Sequence, residues 1–223
     1  METIPVYTFD ELDRDVQEAV LEREAHRIQE NGLVLDLLVG HARDEMDNRN
    51  LDLKTYFDLY GRGGGVAFDG SFDIGDLLDA DTESWTETKT RSGRRNVHLK
   101  PSTVRDAIPT LLDEYGEDFV RGLGWRLDVP GRGLFQRIDE DTLLDDVHNL
   151  KEELEEQGDE DRADAIWAEA NALNALVTDF IDALSHDLFI MLREEDKYYV
   201  SEESMRESGM LEARRWTWQG VEV

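Results

Sequence analysis

The first residues that could support chemistry form a basic stretch in a chain that is otherwise strongly acidic. The sequence has 53 Asp and Glu against 24 Lys and Arg, a net charge of -29, yet no acidic residue interrupts positions 88–105. A local reversal of sign could dock a protein partner or a nucleic acid. The alternative is a solvated loop, or one paired with the chain's own carboxylates. With one arginine of an earlier glycine-rich turn, the candidate partner-binding residues are Arg62, Lys89, Arg91, Arg94, Arg95 and Lys100.

The glycine-rich run at residues 61–65 could hold a phosphate with its backbone N–H groups. Phosphate loops of this kind gain strength from a following helix N-terminus and usually from a Lys, Ser or Thr. Here an alternating, strand-like pattern follows instead. We therefore predict a hairpin turn whose glycines supply positive φ angles, and no phosphate site.

Clustered acids and five histidines are the residues that could hold a metal ion. The acids between positions 69 and 81 lack the spacing of an EF-hand, and such clusters arise by chance in a chain this acidic. The histidines lack the paired Glu-x-x-His arrangement of di-iron bundles. We predict no metal site and no cofactor. Four carboxylate–histidine pairs are expected on helix surfaces: Glu22 with His26, His41 with Glu45, Asp145 with His148, and Asp182 with His186.

The sequence offers no recognisable catalytic nucleophile. There is no cysteine, and no serine stands in a Gly-x-Ser-x-Gly elbow. Paired carboxylates could serve a hydrolase, but 53 of them do not single out two. We therefore predict no catalytic residue, and an enzyme of unrecognised type stays open as an alternative.

Two tryptophans near the end of the chain could stack on nucleic-acid bases. Arg214 and Arg215 precede Trp216 and Trp218, a combination of charge and aromatic rings that single-strand binders use. The spacing of two also fits a strand that carries both indoles on one face against the core. We favour the strand.

The elements that position these residues follow from the periodicity of apolar side chains. Helical spacing and a capping box at Thr8 and Glu11 predict a helix to about residue 30, and a second helix runs to about Asp47. Alternation over residues 51–60 and 66–74 predicts a hairpin, followed by a short helix. A third strand is expected at residues 97–100.

The second half of the chain is predicted to be mainly helical. A helix from Ser102 toward Leu123 should break at Pro109, and residues 125–129 and 134–138 form a second hairpin. Residues 141–196 read as a helical pair with a turn near Gly158. A short helix capped by Ser201 and a strand at residues 215–218 close the chain.

These elements predict an α+β fold: a small, mostly antiparallel sheet of hairpins packed with helices, plus a long helical hairpin in the C-terminal half. We expect one domain over residues 1–223, with the helical hairpin of residues 141–196 inserted before the C-terminal strand. No apolar run approaches the roughly 20 residues that a bilayer requires, so no membrane partner is expected.

The charge resembles that of proteins from extremely halophilic archaea, in which carboxylates are abundant and arginine outnumbers lysine. Only five of the 24 basic residues are lysine. At a salt concentration of 1 M the Debye length is about 3 Å, so surface carboxylates repel each other weakly while they hold water and salt cations. Phosphate binding depends on counterion release and falls steeply with salt, which argues against a nucleic-acid partner. The N-terminus lacks the pattern of a secretion signal, so we expect a cytoplasmic location.

Short motifs resemble a group of uncharacterised acidic proteins of tailed phages and prophages. These motifs are the FDEL run at residues 9–12, the hairpin at residues 63–72, and the ending formed by residues 198–201 and 216–220. Gly64 stands where the group's GDGxxFxG-like turn has an Asp, so any role of that acid is not carried over. The resemblance implies a viral or proviral setting and brings no activity.

Together these observations predict a non-catalytic accessory or interaction protein of a haloarchaeal virus or provirus that binds a macromolecular partner, most simply a protein. Three alternatives stay open. The first is a virion-associated structural component, the second a DNA mimic that blocks a restriction enzyme or nuclease, and the third the unrecognised enzyme. Charge alone does not favour the mimic, because the whole proteome of such a host would be similarly acidic.

Overall fold

The computed structural model describes residues 5–49, 51–60, 64–79, 88–89, 96–97, 99–129, 137–139 and 141–222. Its helices are α1 (Arg14–Glu30), α2 (Leu33–Asp47), α3 (Ile74–Asp79), α4 (Pro101–Ala107), α5 (Pro109–Tyr115), α6 (Glu117–Val120), α7 (Asp141–Glu156), α8 (Glu160–Tyr199) and α9 (Glu202–Glu207), with a 3-10 turn at Phe9–Glu11. Its strands are β1 (Lys54–Asp58), β2 (Gly65–Asp73), β3 (Thr88–Lys89), β4 (Asn96–Val97), β5 (Gly124–Asp128) and β6 (Arg137–Asp139). The α+β class predicted from the sequence is confirmed.

The chain divides into two compact units. Unit 1 consists of residues 1–41 and 191–223, and unit 2 of residues 42–190. The boundary falls inside α2 and α8, each of which is one uninterrupted helix. That all 223 residues form a single domain stays a prediction.

Unit 1 is built around a small apolar core that joins both ends of the chain. Its buried members come from the N-terminal turn, α1, α9 and the C-terminal segment: Phe9, Leu12, Val20, Met205, Leu211 and Trp216. Ser201 caps α9 as predicted, since its hydroxyl oxygen accepts from the Ser204 N–H at 3.2 Å. The core therefore holds the C-terminal segment against α1.

The start of α1 differs from the prediction. The Thr8 N–H donates to the Glu11 carboxylate at 2.7 Å, as a capping box requires, but the helix that it caps is only the 3-10 turn. Leu12 and Asp13 are extended, and α1 begins at Arg14. The interruption turns Leu12 inward, where its side chain is buried in the core.

Unit 2 contains an antiparallel sheet in the order β1-β2-β5-β6. The predicted hairpin of β1 and β2 pairs Lys54 with Asp69, and the second hairpin joins β5 to β6. Where β5 pairs with the end of β2, a Cβ on Gly124 would lie 2.4 Å from the Phe72 carbonyl oxygen, so only glycine fits. The Trp125 ring stacks on Phe72 at 5.2 Å.

Helix α8 is tied to the start of α5 and to the sheet by polar contacts. The expected break at Pro109 is confirmed, and the Glu169 carboxylate of α8 accepts from the N–H groups of Thr110 and Leu111 at 2.9 and 3.0 Å. The Trp125 indole N–H donates to the Asn174 side chain at 2.9 Å. The helical pair predicted at residues 141–196 corresponds to α7 and α8.

Two predicted strands are shorter than expected. Of the strand predicted at residues 97–100, Val97 lies in β4 beside β3, Leu99 and Lys100 lie outside any strand, and His98 is outside the described residues. At the C-terminus the described pairing is limited to isolated bridges at Trp216. Residues 130–136, which include the first part of the strand predicted at 134–138, lie outside the described residues.

Candidate partner-binding surface

The predicted basic cluster falls mostly outside the described residues. Arg62, Arg91, Arg94 and Arg95 all lie there, as do His98 and Asp81. Lys89 lies in β3, but its side chain is outside the described set. Lys100 is exposed and precedes α4. The assignment of these six basic residues to a partner site therefore stays a prediction.

Three of the predicted carboxylate–histidine pairs are wrong in their partners. His26 pairs with Glu30 at 3.4 Å, and His148 with Glu152 at 3.3 Å. In both, the acid lies four residues after the histidine, a spacing that meets on one helix face as readily as an acid one turn before it. His41 pairs with Glu195 at 2.6 Å, a contact between helices that spacing along one helix does not reveal.

Most of the groups with shifted pKa values lie in ion pairs or hydrogen bonds at the surface. The pKa of Glu117 is lowered chiefly by its hydrogen bond from Arg105, and the pKa of Tyr198 is raised by its hydrogen bond to Glu207. Over the residues whose placement is described, no three His, Asp or Glu side chains are grouped so as to hold a metal ion. The shifts of Glu117 and Tyr198 therefore reflect pairing at the surface.

The C-terminal segment of unit 1 offers a better-defined candidate. Trp216 is fully buried and pairs with Tyr7 through two backbone hydrogen bonds, of 2.8 and 3.0 Å. A second bridge joins Trp216 to Glu222. The guanidinium of Arg23 lies over the Trp216 ring, 5.4 Å from its centroid. The segment is thus held between Tyr7 and α1.

A network of ion pairs with α1 also holds the C-terminal segment. Glu24 on α1 is only 2% exposed, and its carboxylate accepts a hydrogen bond from Arg214. Arg214 also reaches Glu222 at 3.3 Å, and Glu222 pairs with Arg27 at 3.2 Å. Because a buried carboxylate is stable only with such partners, Arg214 is held beside α1.

Between Trp216 and Glu222 the chain makes a tight turn, which we call the C-terminal turn (residues 217–221). The Thr217 N–H donates to the Val221 carbonyl and the Gly220 N–H to the Thr217 carbonyl, each at 2.8 Å. Gly220 has a φ of +76°, and a Cβ there would lie 2.9 Å from Val20 and 3.0 Å from Val16. Glycine is therefore needed both for the conformation and for the close packing on α1.

The C-terminal turn presents an exposed indole. Trp218 is 64% exposed, and Val221 and Val6 are 53% and 48% exposed. The register of the Tyr7–Trp216–Glu222 bridges places Val6 and Val221 on either side of Thr217. We call the three exposed residues Trp218, Val221 and Val6 the Trp218 surface. The prediction that Trp216 and Trp218 share one buried face is wrong, because the extended chain ends after Trp216.

One feature of the sequence indicates that Trp218 lies in a turn, although the period-two spacing of the tryptophans favoured a strand. A glycine follows Trp218 after a single intervening residue, which is typical of a turn rather than a continuing strand. The packing of Gly220 on Val16 and Val20 joins residues about 200 positions apart, and no local pattern predicts such a contact. The Trp218 surface could bind an apolar feature of a partner; it contains no group that could carry out a reaction.

Comparison of the chain with protein-family models, curated proteins and solved structures finds no significant match. Among the described helices, none is both long enough and apolar enough to cross a bilayer.

Proposed function

We propose that the protein is a non-catalytic accessory protein of a haloarchaeal virus or provirus and that it binds a macromolecular partner through the Trp218 surface. The observation that carries this proposal is an exposed tryptophan held on a turn that is fixed at both ends. The viral and haloarchaeal setting is supported by the acidic, lysine-poor composition and by the phage-like motifs of the sequence.

Physical reasons favour Trp218 as a binding anchor. Tryptophan is enriched among the residues that dominate binding energies at protein interfaces. Covering its exposed part removes on the order of 150 Å² from water, worth about 4 kcal/mol before the cost of association. The hydrogen bonds of the C-terminal turn already order the backbone, so little further entropy is lost on binding.

A protein is the partner that this chemistry fits best. Glu222 lies within the same segment, and the chain as a whole carries a net charge of -29, which repels phosphate groups. In molar salt, phosphate contacts lose their counterion-release contribution, whereas burial of an indole keeps its hydrophobic gain. Salt cations are the other expected ligands of the acidic surface.

The basic residues predicted from the sequence supply a second proposed contact. Arg62, Lys89, Arg91, Arg94, Arg95 and Lys100 would complement acidic groups of the same partner, which in a haloarchaeal cell is itself expected to be acidic. In molar salt this contact would set orientation more than affinity. Binding would take place in the host cytoplasm, with the virion as the alternative location.

Affinity capture from extracts of virus-producing haloarchaeal cells, kept in molar potassium chloride, tests the proposal. Wild-type protein and a Phe119→Ser control, which removes an aromatic ring that is 47% exposed in unit 2, should capture the same partner. Trp218→Ser should capture at least about tenfold less of it. Equal capture by Trp218→Ser would reject the Trp218 surface, and capture of no specific partner by any variant would reject the proposed function.

A further inference from the structure

An arginine on α1 lies on an aromatic ring and has hydrogen-bond donors that no described residue uses. The guanidinium of Arg23 lies over the ring of the buried Trp216, 5.4 Å from its centroid, and the side chain is 46% exposed. Among the described residues, its contact with a charged group is limited to Nε, which lies 3.5 Å from the Glu24 carboxylate. Its terminal nitrogens, Nη1 and Nη2, are therefore available to a further acceptor.

Another arginine of unit 1 shows which acceptor such a group binds in this protein. The guanidinium of Arg206 lies 5.1 Å from the centroid of the Phe9 ring, so its setting is similar to that of Arg23. Arg206 donates to the carboxylates of Asp10 and Glu202, each at 2.8 Å. A carboxylate is therefore the kind of ligand that we expect for Arg23.

The ion pairs around Arg23 leave one positive charge in excess. Three arginines, Arg23, Arg27 and Arg214, share two carboxylates, those of Glu24 and Glu222. Three positive charges against two negative ones leave a surplus of one, in a chain whose net charge is -29. One further carboxylate would balance this group of described side chains.

Arg23 and the C-terminal turn are neighbours on α1. Gly220 of the turn packs on Val16 and Val20, and Arg23 follows Val20 by three residues on the same uninterrupted helix. Residues three or four apart on a helix share a face, so Arg23 lies one turn from the point where Gly220 touches α1. The residues one turn from Arg23 in either direction include no acid: Ala19, Val20, His26 and Arg27. A carboxylate bound at Arg23 would therefore meet no like charge from those positions.

We propose that Arg23 is a carboxylate-binding site and that the partner of the Trp218 surface places an Asp or Glu side chain on it. The identity of the ligand as a protein rests on the proposed function, while the site itself rests on the geometry around Arg23. A guanidinium can bind a carboxylate through two parallel N–H···O hydrogen bonds. Because Trp216 supports the planar group, less side-chain freedom is lost when the carboxylate binds.

A protein carboxylate fits this site better than the phosphates of a nucleic acid. One carboxylate balances the surplus of one charge, whereas a nucleic-acid strand carries a phosphate at every nucleotide and would place the others against an acidic chain. In molar salt the long-range attraction is screened, but paired hydrogen bonds still require a planar acceptor. The contact therefore adds selectivity for an acidic residue to the apolar attraction of Trp218.

Nuclear magnetic resonance of the free chain in molar potassium chloride tests the site without the partner. The probe is the capped dipeptide acetyl-Glu-Leu-amide, and the control probe is acetyl-Gln-Leu-amide, which has a similar shape and no charge. The charged probe should move the guanidinium ¹⁵N signals of Arg23 saturably, and the neutral probe should move them at least about fivefold less at the same concentration. The signals of Arg14, which is exposed and pairs with Glu18 at 3.3 Å, should stay in place.

Two results of this titration would overturn the proposal. Equal shifts of the Arg23 signals with the two dipeptides would mean that Arg23 does not recognise a carboxylate. Tighter binding of dimethyl phosphate than of acetyl-Glu-Leu-amide would reject the carboxylate in favour of a phosphodiester, and hence of a nucleic acid. The signals of Arg23 are assigned by their absence from the Arg23→Gln variant.

Capture of the partner separates this inference from the proposed function. Arg23→Gln should lower capture from the extracts of virus-producing cells at least about fivefold, and Arg14→Gln on the same helix should leave it unchanged. Full capture by Arg23→Gln together with its loss in Trp218→Ser would overturn this inference and leave the Trp218 surface in place. Capture by no variant would reject the proposed function, and the titration would then decide the Arg23 site alone. Circular dichroism confirms that each variant is folded.

Discussion

Helices α8 and α2 are both rich in apolar residues, but they differ in how far the chain buries those side chains. Within unit 2, α8 buries side chains at regular three- and four-residue spacing, at positions 163, 166, 170, 173, 177, 180, 184 and 188. In unit 1, the first two turns of α2 leave four of six large apolar side chains exposed. The difference shows that a run of apolar residues along a helix does not by itself mean that the chain buries all of their side chains.

The Trp218 surface repeats this lesson on a smaller scale. Trp216 and Trp218 are two residues apart, yet one is fully buried and the other is 64% exposed. Trp216 completes the core of unit 1, and Trp218 contributes nothing to it. An exposed apolar side chain on a well-fixed backbone is therefore the feature on which the proposed partner binding rests.

The largest expected effect tests whether the covered helix carries the stability. Phe180 on α8 is 1% exposed, and Phe180→Ala should lower the free energy of unfolding by about 4 kcal/mol through loss of burial and a residual cavity. Leu33→Ala on α2 should change it by less than about 0.5 kcal/mol. Guanidinium unfolding in molar potassium chloride measures both. Similar losses of unfolding free energy in the two variants would contradict the contrast drawn between α8 and α2.

The second effect concerns the charges that fix the C-terminal turn. Glu24→Gln should destabilise the protein by about 2 kcal/mol, because Arg214 loses the carboxylate with which it is paired at a buried position. Glu18→Gln, which removes an exposed carboxylate that pairs with Arg14 at 3.3 Å, is the matched control and should have little effect. Thermal unfolding compares the two, and an equal, small shift would mean that the buried network does not hold the turn.

The third prediction sets the basic residues against the Trp218 surface as partner contacts. Charge reversal of Arg91, Arg94 and Arg95 together should lower partner capture at least about tenfold at reduced salt, with the fold unchanged, and less in molar salt. Trp218→Ser should lose capture at both salt concentrations. Unchanged capture by the triple variant would remove the basic residues from the site.

The smallest effect lies in the exposed ion pairs that cover the rest of the surface. Arg105 donates two hydrogen bonds to Glu117, at 3.0 and 2.8 Å, and these lower the pKa of Glu117 below its ordinary value of 4.5. A lowered pKa means that the pair stabilises the fold above that value and that this contribution is lost as the pH falls through the folded-state pKa. Glu117→Gln should therefore make the melting temperature fall slightly less steeply on acidification than the control Asp118→Asn does. A steeper fall would contradict the assigned direction.

Much of the fold could be predicted from the sequence because its signals are local. The alternation of β1 and β2, the break at Pro109 and the long apolar spacing of α8 each depend on neighbours within a few turns. The start of α1 was misplaced because the capping box at Thr8 is real but serves a 3-10 turn.

The candidate site could not be predicted in the same way. His41 meets Glu195 across 154 positions, and Gly220 packs on Val16 and Val20 from the other end of the chain. Contacts of this kind decide which side chains stay exposed, and periodicity carries no information about them. For Trp218 the period-two pattern indicated burial, whereas the turn that follows Trp216 placed the indole in solvent.

The exposure of Trp218 in the free protein and its burial in a complex can be measured directly. Hydroxyl-radical oxidation of individual side chains, read by mass spectrometry, should modify Trp218 readily in the free chain and Trp216 hardly at all. When the captured partner is added in molar potassium chloride, oxidation of Trp218 should fall severalfold while that of Phe119 stays constant. Unchanged oxidation of Trp218 in the complex would contradict the central claim that this tryptophan is the anchor for a partner.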